Sequence, residues 1–170
     1  MDFQELILRR YSVRAYKPDE IPADSLNAVL DAGRLAPTAA NRQAFRIIVL
    51  RTKDAKERLL EIYKAEWFVQ PPIVLAVVSL PRENWVRSDG RNYSDVDAAI
   101  VMDHMILAAA DLGLGTCWVG AFNPEKARSN LSLPEEAEPV AFTPLGYPRD
   151  EPNPKKRKAL EDLVLYDRWK

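Results

Sequence analysis

Residues 96 to 112, VDAAIVMDHMILAAADL, place apolar side chains round nearly the whole circumference of a helix. A surface helix of a globular protein has one apolar stripe and one polar face. A helix that lacks the polar face is expected to be buried on every side. In a chain of 170 residues, that points to a subunit interface as well as a core. Asp103, His104 and Asp111 interrupt the run, and it falls short of the ~18 apolar residues of a membrane span. No membrane partner is expected.

The elements around this helix follow from local pattern. Ser94 to Asp97 has the S-x-x-D spacing of a capping box, which would launch the helix at about residue 96. Gly113-Leu-Gly115 would stop it. Phe45 to Leu50 (FRIIVL) and Ile73 to Val78 (IVLAVV) are β-branched apolar runs of strand length. Runs of this kind suit the centre of a sheet covered by helices on both faces. Thr116 to Ala121 and Val140 to Leu145 read as two further strands. Helices are expected over 3–9, from about Ala23 through Leu26, Val29, Leu30 and Gly33 until Pro37, over 53–64, and from Pro124. Tyr11 to Tyr16 reads as extended. Residues 81–95 form a polar loop long enough to suggest a functional role. The apolar run Leu163-Val164-Leu165-Tyr166 has the look of a strand with no place left for it in its own chain.

Composition narrows the class. With 47% hydrophobic and 29% charged residues, the chain is globular, and its length fits one domain over 1–170. A net charge of −1 gives no general attraction to nucleic acid or to anionic membrane. The single cysteine, Cys117, excludes an intramolecular disulfide and fits a reducing cytoplasm. The apolar run Leu6-Ile7-Leu8 is far shorter than the about 7–15 residues of a signal-peptide core. One histidine and one cysteine leave no ligand set for a metal.

Arg10, Ser12 and Arg14 alternate in the extended segment, so they share one side, opposite Tyr11 and Val13. Two guanidiniums and a hydroxyl on one face match a phosphate. The plainer reading is that Arg10 caps a helix and Arg14 is solvated. Lys155 and Arg157 repeat the alternation near the other end of the chain. Within PKKRK they also fit a solvated basic tail or a nuclear-targeting run. Between Ala36 and Gln43, small residues would let backbone amides approach a flat ligand. Asn41 and Gln43 add donors and acceptors suited to a heteroaromatic edge, although an ordinary loop with an Asx turn would look the same. Gly113 to Gly120 runs from helix to strand and fails the dinucleotide fingerprint, which runs from strand to helix. It reads as a strand whose end, Trp118-Val119-Gly120, lies near a ligand ring, or as a buried strand entering a turn. Cys117 reads as a small core hydrophobe, and His104 as a hydrogen-bonded interior histidine. No Ser-His-Asp set and no carboxylate pair stands out, so the catalytic residues are expected to be none and a cofactor to carry the chemistry.

The segments RRYSVRAY (9–16), APTAANRQAF (36–45), LAAADLGLGTCWVGAF (107–122), LGYP (145–148) and PKKRKALEDLV (154–164), in this order, resemble the nitroreductase family of FMN flavoproteins. The resemblance implies an α+β fold with a central, mostly antiparallel sheet flanked by helices. It also implies an intertwined homodimer with two FMN sites at its interface. The helix near 96–112 would pack at the dimer core, and residues from about 150 to 170 would reach across and add a strand to the partner's sheet. Arg10, Ser12, Arg14, Lys155 and Arg157 would hold the FMN phosphate and ribityl chain, with backbone contacts from Tyr11. Pro37, Thr38, Ala39, Asn41 and Gln43 would line the flavin from the neighbouring subunit. Trp118, Val119 and Gly120 would pack at the isoalloxazine ring. The chain departs from the family pattern with Ala44-Phe45 where many members have Pro-Trp, and with Thr38-Ala39 in place of a serine pair. It is also short for the family, so the extra helices that shape substrate pockets in larger members are not expected.

On this resemblance, the expected activity is hydride transfer from NADH or NADPH through flavin N5 to a small oxidant such as a nitroaromatic, quinone, enone or flavin. Trp85 and Tyr93 of loop 81–95 would cover the pocket. Two other readings stay open: a flavin-binding or storage protein without turnover, and a reductive dehalogenase-like member. Nucleic-acid binding by PKKRK is weak because no aromatics are interleaved with it.

Overall fold

Every residue of strand β2 (Ile73–Ser79) is buried, because the strand is paired on both edges and covered on both faces. The computed structural model describes residues 2–169. The two end positions of the domain expected over 1–170 therefore lie outside the described residues. β2 pairs antiparallel with β1 (Phe45–Arg51) and with β4 (Glu138–Gly146), and β4 pairs antiparallel with the short β3 (Gly115–Thr116). The sheet order is β1-β2-β4-β3.

Alternation along the strands sends side chains to two cores. Ile73, Leu75, Val77, Ala141 and Leu145 meet α2 (Ala23–Arg34) and α4 (Ser94–Asp111) through Val29, Met102 and Met105. On the other face, Val74, Ala76 and Phe142 meet α3 (Thr52–Ile62) and α5 (Pro124–Asn130) through Leu59, Ile62 and Ala127. The result is an α+β fold with helices on both faces of an antiparallel sheet. The remaining helix, α1 (Phe3–Arg9), packs on α4.

Four expectations need correction. β1 is an edge strand: Arg46 points to solvent and Val49 is 36% exposed. The third strand is two residues long, because the Thr143 hydroxyl accepts the Cys117 N–H at 3.0 Å and draws the chain off the ladder. Only Val119 pairs again, with Phe142. The capping box does not form. α4 starts at Ser94, whose N–H donates to Asn92 Oδ1 at 2.9 Å, and Asp97 turns away to accept the Ala39 N–H at 3.0 Å. The chain itself buries α4 on one side, and the burial expected on its other side would need a second subunit. Val101, Met102, Met105 and Ala109 are sealed, while Val96, Ile100 and Leu107 remain at least partly open to solvent on the other side. His104 lies on that outer side. Its ring nitrogen is hydrogen-bonded to Ile100 O at 3.0 Å, but it is not an interior residue of one chain.

Gly113, at φ +73°, takes the left-handed conformation that ends α4. Gly115 serves a packing need, since a Cβ there would lie 2.7 Å from Val13 Cγ2. Gly115→Ala is expected to cost about 1–3 kcal/mol through overpacking. In a Val13→Ala background the cost should shrink, and chemical denaturation of the four chains measures the coupling.

Candidate functional site

The segment 11–17 is held on both sides by backbone hydrogen bonds. On one side the Val13 N–H donates to Thr116 O at 2.9 Å. On the other, the Lys17 N–H donates to Tyr147 O and the Arg149 N–H to Ala15 O, both at 2.9 Å. Val13 is 1% exposed, so the extended backbone turns Ser12 and Arg14 the opposite way. Asp150 closes the arrangement. Its Oδ2 accepts the Arg14 backbone N–H at 2.8 Å, and its carbonyl accepts the Tyr11 hydroxyl at 2.6 Å.

The cations from the two chain ends come together here. Lys155 donates to Ile7 O at 2.7 Å and also to Leu8 O, the exposed carbonyls at the negative end of α1. Burial lowers the Lys155 ammonium below the ordinary lysine range, and the charges of Arg10 and Arg157 push it further down. Arg14 lies over the Trp67 ring, 5.9 Å from its centroid. Cys117 is 3% exposed. Burial raises its thiol pKa, opposed by the nearby Arg14 and Arg10 charges and a hydrogen bond with Ser12. Arg10, Ser12, Arg14, Lys155 and Arg157 thus border one region. Among the described residues, none of its four cations forms an ion pair. Four cations outnumber the nearby carboxylates of Asp150 and Glu151, an excess that suits an anion with several acceptor oxygens.

The second group of expected residues lies elsewhere. Pro37, Thr38 and Ala39 border a cavity with Trp85, Tyr93, Val96 and Ile100, at the N-terminal end of α4. Arg10 and Tyr11 border a different cavity with Ala110, Leu114 and Gly115, at its C-terminal end. Asp97 borders the first cavity and Ala110 the second, so the two groups are about 20 Å apart along α4, at about 1.5 Å per residue. They do not meet within one chain.

The loop at 38–43 is strained. Ala40, Asn41 and Gln43 have φ of 50°, 53° and 52°, a region that costs a non-glycine residue about 1–2 kcal/mol. Local bonds hold it. The Thr38 hydroxyl accepts the Gln43 N–H at 3.0 Å, and Gln43 Nε2 donates to Asn41 O at 3.3 Å. Both amide side chains are exposed. Trp85 and Tyr93 meet edge to face at 5.1 Å, and Arg87 donates to the Tyr93 hydroxyl at 2.9 Å, so the two loop aromatics stand beside residues 37–40. At the other end of the sheet, Trp118 is 41% exposed, and a Cβ on Gly120 would meet nothing closer than Trp118 Nε1 at 3.6 Å. Val119 points inward at 4% exposure, and its N–H and C=O both pair with Phe142. Trp118 and Gly120 are therefore the parts of this segment open to a ligand.

Three residues with a part in this geometry gave no functional sign in the sequence. Asp150 acts 136 residues away from Arg14, beyond any local pattern. Trp67 lies in an unremarkable turn. Asp97 was legible as an acid in an apolar helix, but the capping spacing gave it another role.

The nitroreductase family model matches residues 7–87 and 63–147, and the chain belongs to the nitroreductase family, a family of oxidoreductases. A Clostridium difficile nitroreductase family protein of solved structure is 36% identical, over 99% of this chain and 100% of that one, with a TM-score of 0.91. A Methanothermobacter thermautotrophicus protein, whose name carries both NADH dehydrogenase and NAD(P)H nitroreductase, is 30% identical over 99% of this chain and 88% of its own length. An FMN reductase [NAD(P)H] from Bacillus subtilis is 27% identical over 88% of this chain and 67% of its own length. Among the described residues, no helix is long and apolar enough to cross a membrane.

Two outcomes follow from the geometry. The Tyr11 hydroxyl is pushed up to about 12, first by burial and then by Asp150. Above pH ~10 the unfolded tyrosine loses its proton while the folded one keeps it, so the unfolded state binds fewer protons and stability falls as pH rises toward 12. Tyr11→Phe should flatten this limb in denaturation midpoints measured across that window. Ala40→Gly should relieve the left-handed strain and raise stability by about 0.5–1 kcal/mol, read as a higher denaturation midpoint.

Proposed function

We propose that two copies of this chain bind FMN between them and pass hydride from NADH or NADPH to a small oxidant, with the residues after Arg157, to about 170, lying on the partner. The observation that carries the reading is the unpaired cation group of Arg10, Arg14, Lys155 and Arg157 around Ser12. Its donors match a phosphate monoester dianion, so the residues present fit FMN. The names of the Methanothermobacter and Bacillus relatives support nucleotide-dependent reduction.

The need for two copies rests on distance. Residues 37–43 and the cation group lie at opposite ends of α4, so one chain cannot place both on one ligand. Two α4 helices packed antiparallel through Val96, Ile100 and Leu107 would bring one chain's 37–43 loop to the other chain's cations. The tail supports the same arrangement. Leu163, Leu165, Tyr166 and Trp169 are 52–89% exposed, and the outer edge of β1 is unpaired among the described residues. An added strand there would cover apolar residues and satisfy an open edge.

When bound, FMN would supply N5 as the carrier of hydride between nicotinamide and oxidant. The chain's own part is to bind, orient and exclude water. Arg10, Arg14, Lys155 and Arg157 would fix the phosphate and Ser12 the ribityl chain, with Tyr11 contributing backbone. Pro37, Thr38, Ala39, Asn41 and Gln43 would line the ring from the other subunit, beside Trp118 and Gly120. Trp85 and Tyr93 stand next to the 37–40 loop and would limit the oxidant to flat molecules of modest size. Nucleotide and oxidant would use the same face in turn.

The chain reconstituted with FMN is expected to lose its yellow colour when NADH or NADPH is added without oxygen, and to regain it on addition of menadione. Bound FMN that neither nucleotide bleaches would refute turnover and leave a flavin carrier. Arg14→Ala or Arg157→Ala should each weaken FMN binding about 10- to 100-fold, the loss of one charge-assisted hydrogen bond, as read by flavin fluorescence titration.

A further inference from the structure

Asp97 is 2% exposed, on the first turn of α4. Its Oδ1 accepts the Ala39 backbone N–H at 3.0 Å, from a residue 58 positions away. Among the described residues its Oδ2 has no partner. A buried carboxylate is costly to keep unless it does something the fold needs. Here it makes one bond to another element, and that bond reaches the loop whose Ala40, Asn41 and Gln43 all sit at positive φ.

The loop's other ties are local. The Asn41 N–H donates to Thr38 O at 2.9 Å and the Arg42 N–H to Ala39 O at 3.1 Å. The Thr38 hydroxyl takes the Gln43 N–H. These bonds set the loop's internal shape but not where it lies on the molecule. The Asp97–Ala39 bond fastens it side chain to backbone onto α4, the same helix whose outer face would meet a second subunit. We infer that Asp97 is the positioning residue that fixes the 38–43 loop in its left-handed form on α4 and so presents the subunit-crossing half of the flavin site. The inference rests on the reading that this loop lines FMN.

The bond can be broken from either side. Asp97→Ala removes the acceptor, whereas Asp97→Asn keeps a carboxamide Oδ1 that still accepts the Ala39 N–H. Ala39→Pro removes the donor, and Thr38, at φ −130° and ψ 155°, already has the extended backbone that a residue before proline prefers. FMN affinity is read by fluorescence titration, the ring's surroundings by visible circular dichroism of bound flavin, and folding by far-ultraviolet circular dichroism. Asp97→Ala and Ala39→Pro should each raise the FMN dissociation constant by about tenfold or more and change the flavin dichroism. Asp97→Asn should stay within about threefold with an unaltered spectrum. Rescue by the amide separates positioning from simple loss of core stability. If Asp97→Ala does not fold, Ala39→Pro against Asp97→Asn carries the same comparison. Wild-type affinity and dichroism in Ala39→Pro and in any folded Asp97→Ala would overturn the inference while leaving the FMN reading intact. A wild-type chain that takes up no FMN would overturn that reading, and the inference with it.

Discussion

The structure turns on one imbalance: α4 has two apolar sides, and the chain has elements enough to cover one. α2 and the sheet seal Val101, Met102, Met105 and Ala109. Nothing among the described residues seals Val96, Ile100 and Leu107 to the same degree. A long helix exposing apolar area of this kind is ordinarily an interaction face. Because the cation group and the 37–43 loop lie at opposite ends of α4, the same helix also sets the separation that a second copy would have to bridge. On the proposed reading, association and ligand binding would share one element, and a substitution on the outer face of α4 would act on both.

One histidine sits on the outer side of α4, bonded to the carbonyl one turn before it. The one cysteine is buried, its thiol raised by burial. Neither has a partner arrangement that would make it an acid, base or nucleophile. The chain instead offers unpaired cations, exposed amides and aromatic faces. On the proposed reading, that set would bind and orient a group that carries the redox chemistry.

Much of the fold could be read locally. The uninterrupted IVLAVV run gave β2 its place at the centre, Pro124 gave the start of α5, and Gly113 gave the end of α4. The errors arose where a contact distant in sequence overrode a local pattern. FRIIVL reads as central, but Arg46 needs solvent, and the edge that supplies it also leaves Val49 partly exposed. Ser94 and Asp97 had capping spacing, yet Asn92 took the Ser94 N–H and Asp97 bonded a loop 58 residues away. The expected strand after Gly115 was cut short by the hydroxyl of Thr143, on a neighbouring strand 26 residues further on. The basic residues were readable as an alternating set at each chain end. Asp150, which ties the two ends together, was not, because nothing in its own neighbourhood marks it.

That tie has a bearing on how the molecule comes into being. Asp150 grips Tyr11 and Arg14 across 139 and 136 residues, enclosing nearly the whole chain in one loop. Contacts of such wide sequence separation form late, since the chain between must first be ordered before closure is rewarded. On the proposed reading, the anion cradle would be complete only once Lys155 and Arg157 have joined Arg10 and Arg14, so a fragment that stops before them would lack the phosphate affinity.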